Sequence, residues 1–285
     1  MGLDNFLERV INFEDYAQLL PLVSNSLIAG AVLGVVGGLI GIFIMMRDMA
    51  FAVHGIAELS FAGASFALLI GADVVTGSVF GSLIAALVLG VLGTRAKDRN
   101  SITGVLMPFG LGLGILFLSL YEGRSANKFG LLTGQIVAVD EAQLGATLVI
   151  SAVVILALII MWRPLTYASV DPVLARARGV RTSGLSIVFM VVLALAVAMS
   201  IQVVGALLVL ALLITPSAAA LRVSSNPAIT VLLSVLFALT SVVGGILLAL
   251  GGALPISPYV TTISFVIYLV CRLIEAVRSP SRHQV

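Results

Sequence analysis

The stretch RDMAFAVHGIAELSFAGASFALLIG (residues 47–71) opens on two charges and then turns apolar: from Met49 to Gly71 only His54 and Glu58 can ionise. About 20 apolar residues, at roughly 1.5 Å of rise each, are what a helix needs to cross about 30 Å of hydrocarbon. In lipid a segment must also close its own backbone hydrogen bonds, so the run reads as a membrane-spanning helix. Two ionisable side chains at that depth then need a reason to be there.

The rest of the chain is of the same kind. Of 285 residues 60% are hydrophobic and 10% charged, with a mean hydropathy of +1.22, which leaves too little charge to cover a soluble domain. Apolar runs lie near 22–46, 50–70, 74–93, 103–120, 146–162, 185–200, 202–221, 228–250 and 257–274. The fold expected is an all-α polytopic membrane protein with eight or nine transmembrane helices. One membrane domain, 22–275, lies between an extracytoplasmic segment, 1–21, and a cytoplasmic tail, 276–285. Asp4, Glu8, Glu14 and Asp15 stand where a signal peptide would carry a basic n-region and an apolar h-region, so the first span is expected to target the chain.

Charge placement orients the spans. With GTRAKDRN (93–100) in the cytoplasm, the nine-span arrangement puts Arg47, Arg95, Lys97, Arg99, Arg163, Arg176, Arg178, Arg181, Arg222, Arg272, Arg278 and Arg282 inside. Arg9, Arg124 and Lys128 fall outside. This bias places the N-terminus out and the C-terminus in. The count turns on Ser200–Gln202, where two spans meet with almost no loop; a single broken helix there would leave eight spans and reverse the N-terminal half, against the bias.

Two connections are irregular. Residues 121–145, YEGRSANKFGLLTGQIVAVDEAQLG, mix glycine and polar residues with short apolar pieces and read as a partly re-entrant or interfacial external segment. In RPLTYASVDPVLARARGVRTSG (163–184), Asp171 is placed to N-cap a short helix with Pro172 at its first position and Gly179 at its end. Such a helix, flanked by arginines, could lie on the membrane surface or dock into another protein.

Several chemistries are excluded. Neither lysine, Lys97 or Lys128, follows a glycine, so no phosphate-binding Gly-Lys-Ser/Thr loop exists. The lone Cys271 rules out an intrachain disulfide and any multi-cysteine metal site. With His283 in the tail, no Ser/His/Asp arrangement is supported, and no basic, aromatic-interleaved surface suits nucleic acid. The pieces GVVGG (34–38) and GLGLG (110–114) lie inside spans, where small residues let helices approach closely.

His54 and Glu58 remain. Four residues apart, they share one helix face, which Phe61 and Ser65 continue. An unpaired carboxylate in hydrocarbon costs several kcal/mol, so the pair marks a pathway or site, with a purely structural hydrogen-bonded pair as the competing reading. Two ligands are too few for a tight metal site, but a two-fold axis would bring two copies together as N2O2. Imidazole plus carboxylate suits zinc, manganese and iron. Gln202, Thr215 and Ser217 are secondary pore candidates beside the helix break and Pro216, where freed carbonyls could line a path, although packing hydrogen bonds are the favoured reading of them.

The run VDPVLARARGVRTSGLSIVFMVVLALAVAMSIQVVGALLVLALLITPSAAALRVSSNP (170–227) resembles the ABC-3 family, the permease subunits of ABC importers for zinc, manganese and iron. Val204–Ala220 matches the family pattern vGxLLvxALLixPaaxA, and FGLLTGQI (129–136) and ALPISPYVTTISFVIYLV (253–270) are similar to corresponding family segments. The resemblance implies a homodimeric permease of the metal-chelate and cobalamin-importer type in the bacterial inner or plasma membrane. It further implies two cytoplasmic ABC ATPase subunits that hydrolyse the ATP, and an extracytoplasmic metal-binding solute-binding protein. The segment 171–180 becomes the coupling helix, with Asp171, Ala175, Arg176, Arg178 and Gly179 at the ATPase contact. No cofactor is bound permanently; the transported ion, Zn2+ or Mn2+, is cargo. Family members carry an Asp and, four residues on, a His in a GDAxxH type of segment. Lining up Met49 and Ala50 with the family's MA puts His54 in the place of the Asp and Glu58 in that of the His, so the residue types are swapped and the spacing kept.

Competing readings are a permease for a metal chelate such as haem or a siderophore, a proton-coupled secondary carrier with Glu58 as the titrating group, and a membrane scaffold without transport. A chelate needs a wide cavity, which a charged pair narrowing the pore opposes.

Overall fold

The computed structural model describes residues 16–93, 96–123, 130–132, 139–250 and 255–278. Its elements are α1 (Ser24–Met46), α2 (Ala50–Leu69), α3 (Val74–Leu92), α4 (Ala96–Leu120), α5 (Glu141–Val170), α6 (Pro172–Ala177), α7 (Thr182–Val204), α8 (Val209–Leu213), α9 (Thr215–Val223), α10 (Pro227–Leu250) and α11 (Ile256–Arg278). Among the described residues eight helices are long and apolar enough to cross a membrane, the first extended back to Leu20 by a 3-10 turn. The expected N-terminal segment up to residue 15, the last seven residues and most of the irregular 124–138 region lie outside the described residues.

Hydrogen bonds between helices fix the direction of each pass. Gln202 donates to the Val74 carbonyl at 3.5 Å, and the Ser78 hydroxyl donates to the Ala198 carbonyl at 3.2 Å, so α3 and α7 run antiparallel. At the far end of α7, Arg47 donates to the Ser186 hydroxyl at 3.1 Å. Arg47, Arg99, Arg222 and Arg278 thus gather at one end of the bundle, and Asp73 and Asp140, the N-caps of α3 and α5, lie at the other.

The seventh pass is the unusual one. Ser257, at the start of α11, donates to the Val204 carbonyl at 3.4 Å, while Arg222, at the end of α9, meets Glu275 near the end of α11 at 3.3 Å. The segment 206–223 therefore returns the chain from one end of the bundle to the other. It does so as a 3-10 turn, α8 and α9 rather than as one long helix. The reversal lies at Gly205, φ 84° and ψ 157°, a backbone region open in practice to glycine alone. The break expected at Ser200–Gln202 is therefore displaced: α7 continues through Val204, with Ser200 bonded to the Ala196 carbonyl at 2.8 Å. Counted with this broken pass, the described residues run the length of the bundle nine times, the number the charge bias asks for.

Central and peripheral helices separate by burial: most of α1, α2 and α7 is covered by protein, whereas α3, α4, α5, α10 and α11 present one face outward. Exposed side chains there, such as Phe80, Ile84, Val149, Ile160 and Leu273, are apolar, as a surface against lipid requires. Because acyl chains are as apolar as leucine, helix contact must come from close packing. Gly38 and Gly41 of α1 serve this purpose: a Cβ at Gly38 would fall 2.5 Å from Val235 Cα of α10, and one at Gly41 would collide with the Leu213 carbonyl and the Ser217 hydroxyl. Gly38→Ala is expected to destabilise the chain by about 1–3 kcal/mol, read as a lowered unfolding midpoint in detergent. Gly112→Ala, at a glycine with open space around it, is expected to leave that midpoint unchanged.

Candidate functional site

α2 begins after the tight turn Arg47–Met49 and is gripped on two sides. Toward α4, a Cβ at Gly110 would lie 2.9 Å from the Glu58 carbonyl carbon, and one at Gly55 would lie 2.8 Å from the Thr103 methyl. Toward α3, Gly63 faces the Gly77 carbonyl and Gly81 faces that of Leu59, and Ser60 donates to the Ser78 carbonyl at 2.9 Å. These contacts rotate α2 so that Ala50, Phe51 and His54 look the other way, into a cleft.

That cleft holds about 560 Å³ and is lined by Ala50, Phe51 and His54 of α2 with Leu210, Ala211, Ile214 and Thr215 of the broken pass. His54 is its one imidazole, with 29% of the side chain exposed. Glu58 stands one turn deeper, 8% exposed, its Oε1 3.8 Å from His54 Nε2. This distance is beyond a hydrogen bond, so the two groups approach without saturating each other. His54 Nδ1 is buried without a hydrogen-bond partner. His54 therefore keeps an unspent ring nitrogen, and the Glu58 carboxyl stands buried beside it, outside the lining of the cleft.

The secondary candidates divide. Thr215 shares the cleft with His54. Ser217 does not: it is fully buried and bonded to the Ser234 hydroxyl at 2.7 Å, which donates onward to the Gly38 carbonyl at 2.8 Å. Gln202 sits at the opposite end of α2's neighbours, against Val74. The Leu212 and Leu213 carbonyls near the break lie against Gly37 and Gly41 of α1 rather than in the cleft. Among the described residues, no three His, Cys, Asp or Glu side chains converge, so one chain offers an ion two such donors, His54 and Glu58.

A second feature forms at the arginine-rich end. Asp171 Oδ1 accepts from the Val173 and Leu174 amides, both at 2.9 Å, and caps α6. The helix stops at Gly179, φ 83°, whose amide donates to the Arg176 carbonyl at 2.9 Å while Val180 donates to Ala175 at 3.0 Å. This paired closure is the Schellman arrangement. Ala175 is buried and anchors the helix, Arg176 donates to the Pro172 carbonyl at 3.1 Å, and Arg178 lies over the Tyr167 ring. Val173 and Leu174 are left exposed.

Residues 20–275 match the family model of the ABC 3 transport family. The chain belongs to the ABC 3 transport family. It is a transport component and a multi-pass plasma-membrane protein. Among relatives of this ABC 3 chain, the manganese transport system membrane protein MntC of Halalkalibacterium halodurans is 32% identical over 226 residues, 79% of this chain and 77% of its own. The manganese import system permease protein ScaB of Streptococcus parasanguinis is 31% identical over 82% of this chain and 84% of its own. The solved structure of PsaBC from Streptococcus pneumoniae in complex with Fab contains a chain that superposes with a TM-score of 0.79 at 26% identity, covering 90% of this chain and 94% of that one. An inward-facing metal-chelate type ABC transporter shares the fold, with a TM-score of 0.71 at 19% identity and coverage of 90% and 85%.

In the sequence Arg47 and Arg99 count only among the inner charges that orient the spans; Arg99 is buried. No local pattern marks it, because its burial depends on the α1–α2 turn folding over it. The cap at Asp171 makes a direct prediction: Asp171→Ala should cost about 1 kcal/mol of local stability, seen as roughly fivefold faster amide hydrogen exchange at Val173 and Leu174.

Proposed function

We propose that this chain is the membrane-spanning subunit of an importer for a divalent transition metal ion, with manganese the preferred cargo. It acts as a homodimer, powered by separate ABC ATPase subunits and supplied by an extracytoplasmic metal-binding protein. The observation that carries the reading is the His54–Glu58 pair in an otherwise apolar helix, its imidazole incompletely satisfied and lining a cleft. A second copy facing that cleft completes an N2O2 set, enough to strip part of an ion's water and weak enough to let it go. The relatives named for manganese transport favour that ion, and a mixed nitrogen and oxygen set with no thiolate suits it.

The ends of the bundle support the direction. Asp73 and Asp140 line one depression of about 540 Å³ at the end away from the arginines, so a cation is drawn to that mouth. The Thr76 hydroxyl and amide, donating to Asp73, hold its carboxyl below the usual carboxylate range, so it stays ionised at mildly acidic pH. The arginine-rich end is then cytoplasmic, and α6, with Val173 and Leu174 outward, is the coupling helix that docks in an ATPase groove.

Uptake of Mn2+ into proteoliposomes holding this chain with its ATPase tests the reading. Combined His54→Ala and Glu58→Ala substitution is expected to lower ATP-dependent uptake by more than about tenfold while the ATPase still copurifies. Undiminished flux would remove the pair from the pathway, and flux without ATP would favour a proton-coupled carrier. His54→Asp with Glu58→His, which keeps one imidazole and one carboxylate at the same spacing, is expected to retain transport.

A further inference from the structure

We infer that Arg99 and Arg47 are positioning residues that tie the inner end of α2, and with it His54 and Glu58, to the first turns of α7 next to α6. The inference rests on the importer reading above and concerns how force reaches the ion site.

Asp48, in the turn that leads into α2, has φ 51°, the left-handed region. A non-glycine residue persists there when its surroundings hold it. The Asp48 amide donates to the Met45 carbonyl at 3.3 Å and that of Met49 to Ile44 at 2.9 Å, and Arg99 braces this closure: its Nη2 donates to the Arg47 and Asp48 carbonyls, both at 3.3 Å. These carbonyls follow directly on the C-terminal end of α1, where the dipole favours a cation. Arg99 is 9% exposed, and its Nε is buried without a hydrogen-bond partner. Room for it is made at the end of α3, where a Cβ at Gly93 would come within 3.0 Å of Arg99 Cβ. An arginine that served only the charge bias of a loop would keep its guanidinium in water. This one is spent on the two carbonyls that set where α2 starts.

Arg47 reaches the other way. Its Nη2 donates to the Ser186 hydroxyl at 3.1 Å and its guanidinium lies 5.5 Å over the Phe189 ring, both on α7. α7 begins at Thr182, a few residues after α6 ends at Ala177. An unbroken path thus runs from α6 into α7, through Ser186 to Arg47, and across the clamped turn into α2. Along α2 the path meets His54 within two turns. A displacement of α6 by an ATPase subunit that shifts the start of α7 pulls on the same turn that fixes the register of α2, while Thr103 and Gly110 of α4 keep α2 from yielding sideways. Coupling carried this way needs a contiguous set of contacts whose loss weakens transmission without unfolding the helices.

The test uses the complete complex in proteoliposomes, with Mn2+ as the probe, and measures ions moved and ATP hydrolysed in the same vesicles. Ser186→Ala and Arg47→Met are each expected to lower the ions moved per ATP by about 3- to 30-fold, with ATP hydrolysis and the detergent unfolding midpoint retained. The double variant is expected to be no worse than Arg47→Met alone, because both remove one hydrogen bond. Arg99→Gln is expected to uncouple at least as strongly; should it fail to assemble, the two milder variants decide. Unchanged ions per ATP in both single variants overturns the inference, as do additive losses that follow a lowered midpoint. A wild-type complex that moves no Mn2+ overturns the importer reading itself, and is distinguishable because it needs no variant.

Discussion

Backbone-to-backbone approach of α2 to α3 and α4 is the contact from which the remaining arrangement follows. Lipid tails offer a helix as much apolar company as a neighbouring helix does, so burial alone cannot hold this bundle together. What holds it is the removal of Cβ atoms where two backbones meet: Gly63 and Gly77 facing each other, Gly81 on Leu59, Gly110 on Glu58. With that grip α2 is enclosed in protein through most of its length, and a carboxylate can sit on it at low exposure without facing hydrocarbon. The same grip fixes which side of α2 is left over, and that side carries His54.

Much of this was legible beforehand, and the reasons differ by feature. The passes were readable because each apolar run has to satisfy its own backbone. The short helix α6 was readable because a cap at Asp171 and a stop at Gly179 act within a few residues. The pair His54 and Glu58 was readable because four residues make one helical turn. The exact reversal was not: from Ser200 to Leu213 the chain is nearly uniformly apolar, and only the positive φ of Gly205 tells a turn from a continuing helix. The role of Ser217 was equally hidden, since its partners, Ser234 and through it the Gly38 carbonyl, are far away in sequence. Arg99 misled for the opposite reason: arginines at span ends are usually solvated, and this one is buried by a turn some fifty residues earlier.

The transport site proposed at His54 and Glu58 must bind and then release, and the geometry of the pair is suited to both. Nitrogen and oxygen donors 3.8 Å apart on one helix can share an ion but cannot enclose it. The helical pitch brings His54 and Glu58 to 3.8 Å of each other on one face of α2, and it would do so with imidazole and carboxylate in either order. Spacing, more than residue order, is therefore what the helix imposes on the chemistry.

The broken pass has an electrical consequence. Val209–Val223 is a helical stretch of about 22 Å at 1.5 Å per residue, against about 30 Å for the hydrocarbon core. With the 3-10 turn of residues 206–208 the pass still runs the length of the bundle, and an ion moving beside it would cross the whole membrane voltage. For a doubly charged ion that voltage is worth about 4.6 kcal/mol per 100 mV over the full crossing, so the depth at which an ion rests decides how much of it acts on binding.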